Sequence, residues 1–146
     1  MKAVNSMKTV IDSRSVNESF ARVAVSAFVS QLDPTVEELS DIKTAVSEAV
    51  TNCIVHAYRE EKGKIYISCN IYDEGTVKIK IRDKGCGIED IKKAMEPMYS
   101  SLGGERAGLG FAVMESFTDK IKVKSKVGKG TAVTMTKRIK SRYDGN

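Results

Sequence analysis

Glu48-Ala49-Val50-Thr51-Asn52 lies in the second half of a long amphipathic run. On a helix, side chains four residues apart share one face, separated by about 6 Å along the axis. A carboxylate beside a carboxamide packs a core poorly. The pair suits a charged, metal-bearing ligand better, because Asn offers a neutral oxygen to a hard cation and Glu can accept a proton. Taken alone, E-x-x-x-N is also common on solvated helix edges, so the pattern needs company.

Three glycine clusters supply it. Asp83-Lys84-Gly85-Cys86-Gly87 follows a strand pattern. A carboxylate there can accept a hydrogen bond from an exocyclic amine, and the glycines let backbone approach a flat ring. An Asp-Gly turn leaving a strand would read the same way. Arg106-Ala107-Gly108-Leu109-Gly110 opens a helix, where free N–H groups and the helix dipole suit phosphate oxygens, although a plain hinge would also fit. Gly128-Lys129-Gly130-Thr131 reads first as a hairpin turn.

Two familiar phosphate grips are excluded. Gly103 and Gly108 have Walker spacing, but Leu109 stands where the lysine belongs, and neither Gly85 nor Gly108 begins a complete G-x-G-x-x-G. Cys53, Cys69 and Cys86 are too far apart for a C-x-x-C pair, and His56 is the one histidine, which argues against structural zinc and disulfides.

The elements that must carry these motifs are legible from periodicity. Met7 to Ile11 predicts a first strand, and Ser15-Val16-Asn17-Glu18 a capping box opening a helix to about Leu32, with Phe20, Val23, Ala24, Ala27 and Phe28 as its stripe. Asp33-Pro34 stops it. Thr35-Val36-Glu37-Glu38 caps a second, longer helix whose buried stripe is Leu39, Ile42, Val46, Ala49, Val50, Cys53 and Ile54, with Glu48 and Asn52 at its edge. Strict alternation gives strands at 65–71 and 77–81 around the turn Asp73-Glu74-Gly75. A short helix at 89–95 follows, then an aperiodic stretch from Pro97 to Ala107 holding Ser100, Ser101, Gly103 and Gly104, which reads as a lid. A helix with Leu109, Val113, Met114 and Phe117 precedes two final strands, 120–125 and 131–137. The order predicts an α+β fold: a two-layer sandwich, its mostly antiparallel mixed sheet carrying helices on one face. One domain of 146 residues is expected, with 139–146 a frayed tail.

A net charge of +5 with 41% apolar residues describes a water-soluble globular chain, and no segment has the pattern of a signal peptide or a membrane span, so a cytoplasmic protein is expected. Lys120, Lys122, Lys124, Lys126 and Lys129 alternate with Ile121 and Val123, which reads as the solvent side of a strand. Without aromatic interleaving or a helix-turn-helix, direct nucleic-acid binding is not expected; an anionic small molecule or acidic protein fits the charge.

The ordered set is far more specific than its members. E-x-x-x-N on a helix, D-x-G-x-G after a strand, a Gly-rich lid, G-x-G opening a helix and G-T before the final strand resemble the ATP-binding fold shared by gyrase, Hsp90, histidine kinases and MutL, from about Leu39 to Met135. Asn17-Glu18-Ser19-Phe20-Ala21-Arg22, Gln31-Leu32-Asp33-Pro34-Thr35 and Val46-Ser47-Glu48-Ala49-Val50-Thr51-Asn52 are similar to the anti-sigma serine kinases of spore-forming bacteria. Stress-response anti-sigma kinases share the nucleotide motifs. The resemblance implies that Asn52 holds Mg²⁺ on the phosphates of ATP or ADP and that Asp83 reads the adenine amine. Gly85 and Gly87 would shape its floor, with Thr131 supporting the adenine side. Gly108 and Gly110 would cradle phosphates, Arg106 would neutralise the γ-phosphate, and Glu48 would serve as base. It further implies a homodimer that binds a sporulation sigma factor through residues including Arg22 and phosphorylates a serine of an anti-anti-sigma factor, with ATP or ADP setting the choice of partner. A non-catalytic ATP-dependent binding module and a detached histidine kinase domain are the rivals.

Overall fold

A computed structural model describes residues 2–58, 62–95 and 106–140, with the side chains of 106–109 outside that description. The expected lid from Pro97 lies outside the described residues for all but its last two positions, as does the tail beyond Lys140.

The elements run β1 (Asn5–Asp12), α1 (Asn17–Val29), α2 (Val36–Asn52), β2 (Lys64–Ile71), β3 (Thr76–Asp83), α3 (Ile91–Ala94), α4 (Arg106–Phe117), β4 (Lys120–Lys126) and β5 (Gly130–Arg138). The five strands form one sheet in the order β1-β2-β3-β5-β4, and every recorded pairing is antiparallel. The mixed sheet of the sequence reading is therefore antiparallel throughout among the described residues.

Register decides what each face carries. One cross-strand row on the inner face is Met7, Cys69, Ile79, Met135 and Ile121; the next is Thr9, Ile67, Ile81, Val133 and Val123. These rows pack against Ile42, Val46 and Val50 of α2, Val25 and Val29 of α1, and Met114 of α4, which together form the buried core. Because side chains alternate with period two, the residues between these rows all face away from the helices. The third inner row turns polar at one end: Ile11 and Ile65 lead to Asp83, and Ser125 pairs with Thr131. The site grows from that end.

The two long helices start differently. Thr35 Oγ1 accepts from Glu38 N–H while Glu38 Oε1 accepts from Thr35 N–H, completing the box predicted for α2. The box predicted at Ser15 does not form. Val16 is the N-cap of α1 without a side-chain cap, and Glu18 N–H is taken by the Ser15 carbonyl instead, while Arg22 engages the Glu18 carboxylate. The stripe of α1 is also corrected: Ala21, Val25, Ser26 and Val29 are buried, whereas Phe20 (52%) and Val23 (58%) are exposed. Small residues at i, i+4 and i+8 let α1 approach α2 closely, which sends the larger side chains outward.

Residues 137–140 are fastened rather than loose. Ile139, expected in the frayed tail, is fully buried and donates its N–H to the Gly75 carbonyl. Lys140 N–H reaches the second oxygen of Glu38. Lys137 Nζ joins three elements, lying 3.4 Å from Asp41 on α2 and 3.3 Å from the Phe117 carbonyl that ends α4.

Candidate functional site

The second half of α2 delivers both residues of E-x-x-x-N to one place. Gly110, in the first turns of α4, is packed so close that a Cβ there would lie 3.1 Å from Asn52 Oδ1, 3.2 Å from its Nδ2 and 3.3 Å from Glu48 Oε2. A side chain at position 110 would press on both polar groups, so the glycine of G-x-G is needed for contact between helices. The carboxamide of Asn52 is out of solvent, and neither its oxygen nor its nitrogen has a partner. Leaving such groups unsatisfied costs about 1–3 kcal/mol, which marks the position as one kept for a ligand.

Immediately after Asn52 the helix widens into a π-helical turn, Cys53–Ala57, where the sequence predicted continued α-helix to Ile54. Such turns concentrate at functional sites because the extra residue redirects side chains and carbonyls. Here the Ala57 carbonyl accepts from Cys86 N–H, and a Cβ on Gly85 would stand 2.4 Å from the same oxygen. Gly85 is thus fixed by backbone-on-backbone packing against the turn. Gly87, with φ +78°, meets the Lys126 carbonyl in the same manner. The D-x-G-x-G glycines thus hold the site together, and Gly87 also lines the cleft.

Asp83 anchors the inner end. It is 5% exposed, and its Oδ1 accepts from Gly85 N–H at 2.9 Å and Thr131 N–H at 3.2 Å. Burial pushes its carboxyl above the ordinary aspartate value; the Gly85 N–H, the Cys53 thiol and the Thr131 N–H each oppose the rise. Burial beside that carboxylate in turn drives the Cys53 thiol well up, so it stays a donor. Thr131 Oγ1 lies 2.7 Å from Ser125 Oγ, which also accepts from Ile88 N–H. Ser125 and Cys53 were not anticipated, since a serine in a lysine-rich strand and a cysteine one residue past Asn52 carry no motif of their own.

Between these anchors opens a cleft of about 840 Å³. Asn52, Asp83, Cys86, Gly87 and Thr131 line it together with apolar Ala49, Ile81, Ile88, Phe111 and Val133. A mostly apolar slot with an acceptor at its inner end and an unpartnered carboxamide toward its mouth fits a flat aromatic base with a phosphate tail. Among the described residues no group of three His, Cys, Asp or Glu side chains could hold an ion. Asn52 therefore suits a cation that takes its remaining ligands from phosphates and water, as Mg²⁺ does.

Glu48 is placed on the boundary. It does not line the cleft; with Arg22, Val23, Ser40, Lys43, Thr44 and Ser47 it lines a second groove, about 510 Å³, between α1 and α2. Arg22 and Glu48, distant in sequence, are thereby brought onto one surface. The backbones of Arg106 and Gly108 begin α4 beside this boundary; the Arg106 side chain is outside the described residues.

Residues 12–137 match the histidine kinase-like ATPase domain family. The chain is 54% identical over 140 residues to an anti-sigma F factor of Caldanaerobacter subterraneus subsp. tengcongensis, covering 95% of this chain and 97% of the relative. It is 56% identical over 137 residues to an anti-sigma F factor of Clostridium botulinum, covering 92% and 95%. Among solved structures, the RsbU and RsbW domains of a Mycobacterium tuberculosis protein superpose with a TM-score of 0.67 at 19% identity, over 93% of this chain and 32% of that one. The catalytic domain of the histidine kinase ThkA gives 0.56 at 15% identity, over 91% and 97%. These two likenesses concern the fold, and they agree with an antiparallel five-stranded sheet backed by helices.

Proposed function

The chain belongs to the histidine kinase-like ATPase domain family and, within it, with the anti-sigma F factors, and on that premise we propose that it is a MgATP-dependent protein serine kinase that also sequesters a sporulation sigma factor. It would act as a single cytoplasmic domain assembled into a homodimer. The observation that carries the reading is the buried, unpartnered carboxamide of Asn52, set against Gly110 at the mouth of a cleft whose inner end is Asp83.

Each residue would have a distinct role. The free acceptor capacity of Asp83 receives the adenine amine, while its ties to Gly85 and Thr131 keep the carboxylate from turning. Asn52 would hold Mg²⁺, which would supply charge neutralisation on the phosphates. N–H groups around Gly108 and Gly110 would donate to phosphate oxygens, and Arg106 would offset γ-phosphate charge. Glu48 takes the proton from a serine hydroxyl of an anti-anti-sigma factor as that oxygen attacks the γ-phosphorus and the bond to ADP breaks.

The same surface serves partner choice. Exposed Phe20 and Val23 flank Arg22 on α1, a combination suited to protein contacts. A nucleotide that favours the sigma complex as ATP and the anti-anti-sigma complex as ADP needs about 1.4 kcal/mol of differential binding for each tenfold preference.

One observation favours a second reading, an ATP-dependent binder without catalysis: Glu48 is shared with the outer groove that Arg22 lines. Incubation with γ-labelled ATP and a serine-bearing anti-anti-sigma protein separates the two. Acid-stable label on the partner, abolished by Glu48→Gln with nucleotide binding retained, is expected. Absence of transfer with intact ATP and sigma binding would establish the binder.

A further inference from the structure

We propose that the helix-free face of the sheet is a docking surface for an acidic protein segment, separate from both the cleft and the groove at Arg22. The register places its residues without ambiguity. Reading across β1, β2, β3, β5 and β4, one outward row is Ser6, Asn70, Lys78, Thr136 and Lys120. The next is Lys8, Ser68, Lys80, Thr134 and Lys122, and the third is Val10, Tyr66, Arg82, Ala132 and Lys124. Asp12 and Lys64 pair at one end of this face and Lys126 stands opposite Gly130 at the other.

These positions hold nine basic side chains and a single carboxylate, that of Asp12, already joined to Lys64, and Lys84 and Arg138 continue the same face. These positions carry a formal charge of +8 where the entire chain carries +5, so the remaining residues sum to −3. The nine are exposed, and along β3 and β4 they recur at every second residue, so successive charges on one strand lie about 7 Å apart. Lysines on the edge strands β1 and β4 alone would be explained as protection against edge pairing. That account does not reach Lys78, Lys80 and Arg82, which lie on the central strand β3.

The chemistry selects the class of partner. Eight of the nine are lysines, point charges that meet scattered carboxylates well, whereas phosphate recognition favours the forked guanidinium. The one guanidinium, Arg82, lies 4.7 Å from the centre of the Tyr66 ring, and Lys84 reaches the same ring at 5.0 Å. Tyr66 is therefore engaged and is not a bare platform for stacking a nucleic-acid base. The rows belong to the body of the sheet, with no helix or ribbon among them to enter a duplex groove. Val10 is the only large exposed apolar side chain in the three rows, too little to insert into a lipid layer.

The test uses the full chain and fluorescent poly-L-glutamate, with duplex DNA, single-stranded DNA and phosphatidylserine vesicles as parallel probes. Lys80→Glu with Lys122→Glu changes one outward row, and Lys2→Glu with Lys92→Glu makes the same net-charge change elsewhere. The row variant should weaken polyglutamate binding by about tenfold or more and flatten its salt dependence, while the control pair moves it less than about threefold. ATP binding and thermal midpoint report folding, and Lys80→Gln with Lys122→Gln gives the same reading if the glutamates unfold the chain. Equal losses from both pairs, or absence of polyglutamate binding, overturn the proposal. Row-dependent binding to DNA or vesicles that exceeds binding to polyglutamate reassigns the face to that polyanion.

Discussion

Helices α1 and α2 lie side by side, and only one of them obeys its own sequence. In α2 the reciprocal cap forms, Ile42, Val46, Ala49 and Val50 are buried as the period requires, and the polar edge carries Glu48 and Asn52. In α1 no side chain caps the first turn, and Phe20 and Val23 face water while Ala21, Val25 and Val29 pack inward. The difference follows from position. Helix α2 is flanked by both α1 and α4 over the sheet, so its environment agrees with its pattern on every side. Helix α1 has apolar residues on two faces and only one neighbouring layer to bury them. One helix is specified by the core of its own chain, and the other keeps a face in reserve for contacts outside it.

The sharpest way to break this contrast is to truncate one large apolar residue on each helix. Ile42→Ala should cost about 2–5 kcal/mol in denaturant unfolding, because the cavity forms in a fully packed layer. Phe20→Ala should change stability by less than about 0.5 kcal/mol while weakening self-association or partner binding. Comparable stability losses would place Phe20 in the core and dissolve the distinction. Function should divide the same way. Asn52→Ala is expected to lower MgATP affinity by tenfold or more, about 1.4 kcal/mol, and to remove its dependence on Mg²⁺ in titration calorimetry. Arg22→Ala should leave that titration unchanged and weaken partner binding by a similar factor; a crossed result would mean that the helices do not divide the work. The smallest effect concerns the caps. Thr35→Ala should lower stability by about 1 kcal/mol, and Ser15→Ala by a few tenths at most, read as a shift in thermal midpoint.

Acidity offers a milder probe of α2 through Cys53, which donates to Asp83. The folded-state value of Asp83 lies above the ordinary aspartate value of 3.8, so the native chain holds its proton to higher pH than the unfolded chain does. Stability attributable to this group therefore falls as pH rises from 3.8 through the raised value. Nucleotide affinity should move oppositely, weakening as acid protonates the acceptor. Calorimetric titration across that range checks the sign, and Asp83→Asn should remove the dependence.

Strands β2, β3, β4 and β5 were legible because strict alternation leaves one solution for their faces, and the two ends of the cleft were legible because Asn52 and Asp83 sit in spaced motifs. The stripe of α1 was not, since Phe20, Val23, Ala27 and Phe28 satisfy a helical period as well as Ala21, Val25 and Val29 do. Only the neighbour chooses between them. The uses of Gly85 and Gly110 were also hidden: the sequence asks for small residues, but which carbonyl or carboxamide comes within 3.5 Å is set by tertiary contact. The role of Cys53 depends on the π-helical turn, whose extra residue per turn has no signature in hydrophobic spacing.

Glu38 gives this architecture a mechanical property. One of its oxygens closes the first turn of α2 and the other holds the backbone of Lys140. The start of α2 and the chain beyond β5 thus meet on one carboxylate, ten residues and about 15 Å along the same helix from Glu48. Any force or partner that peels away the segment after β5 pulls on the root of the helix that bears Glu48 and Asn52. The C-terminal segment is in effect a clasp, and the helix transmits its release to the site as a lever would.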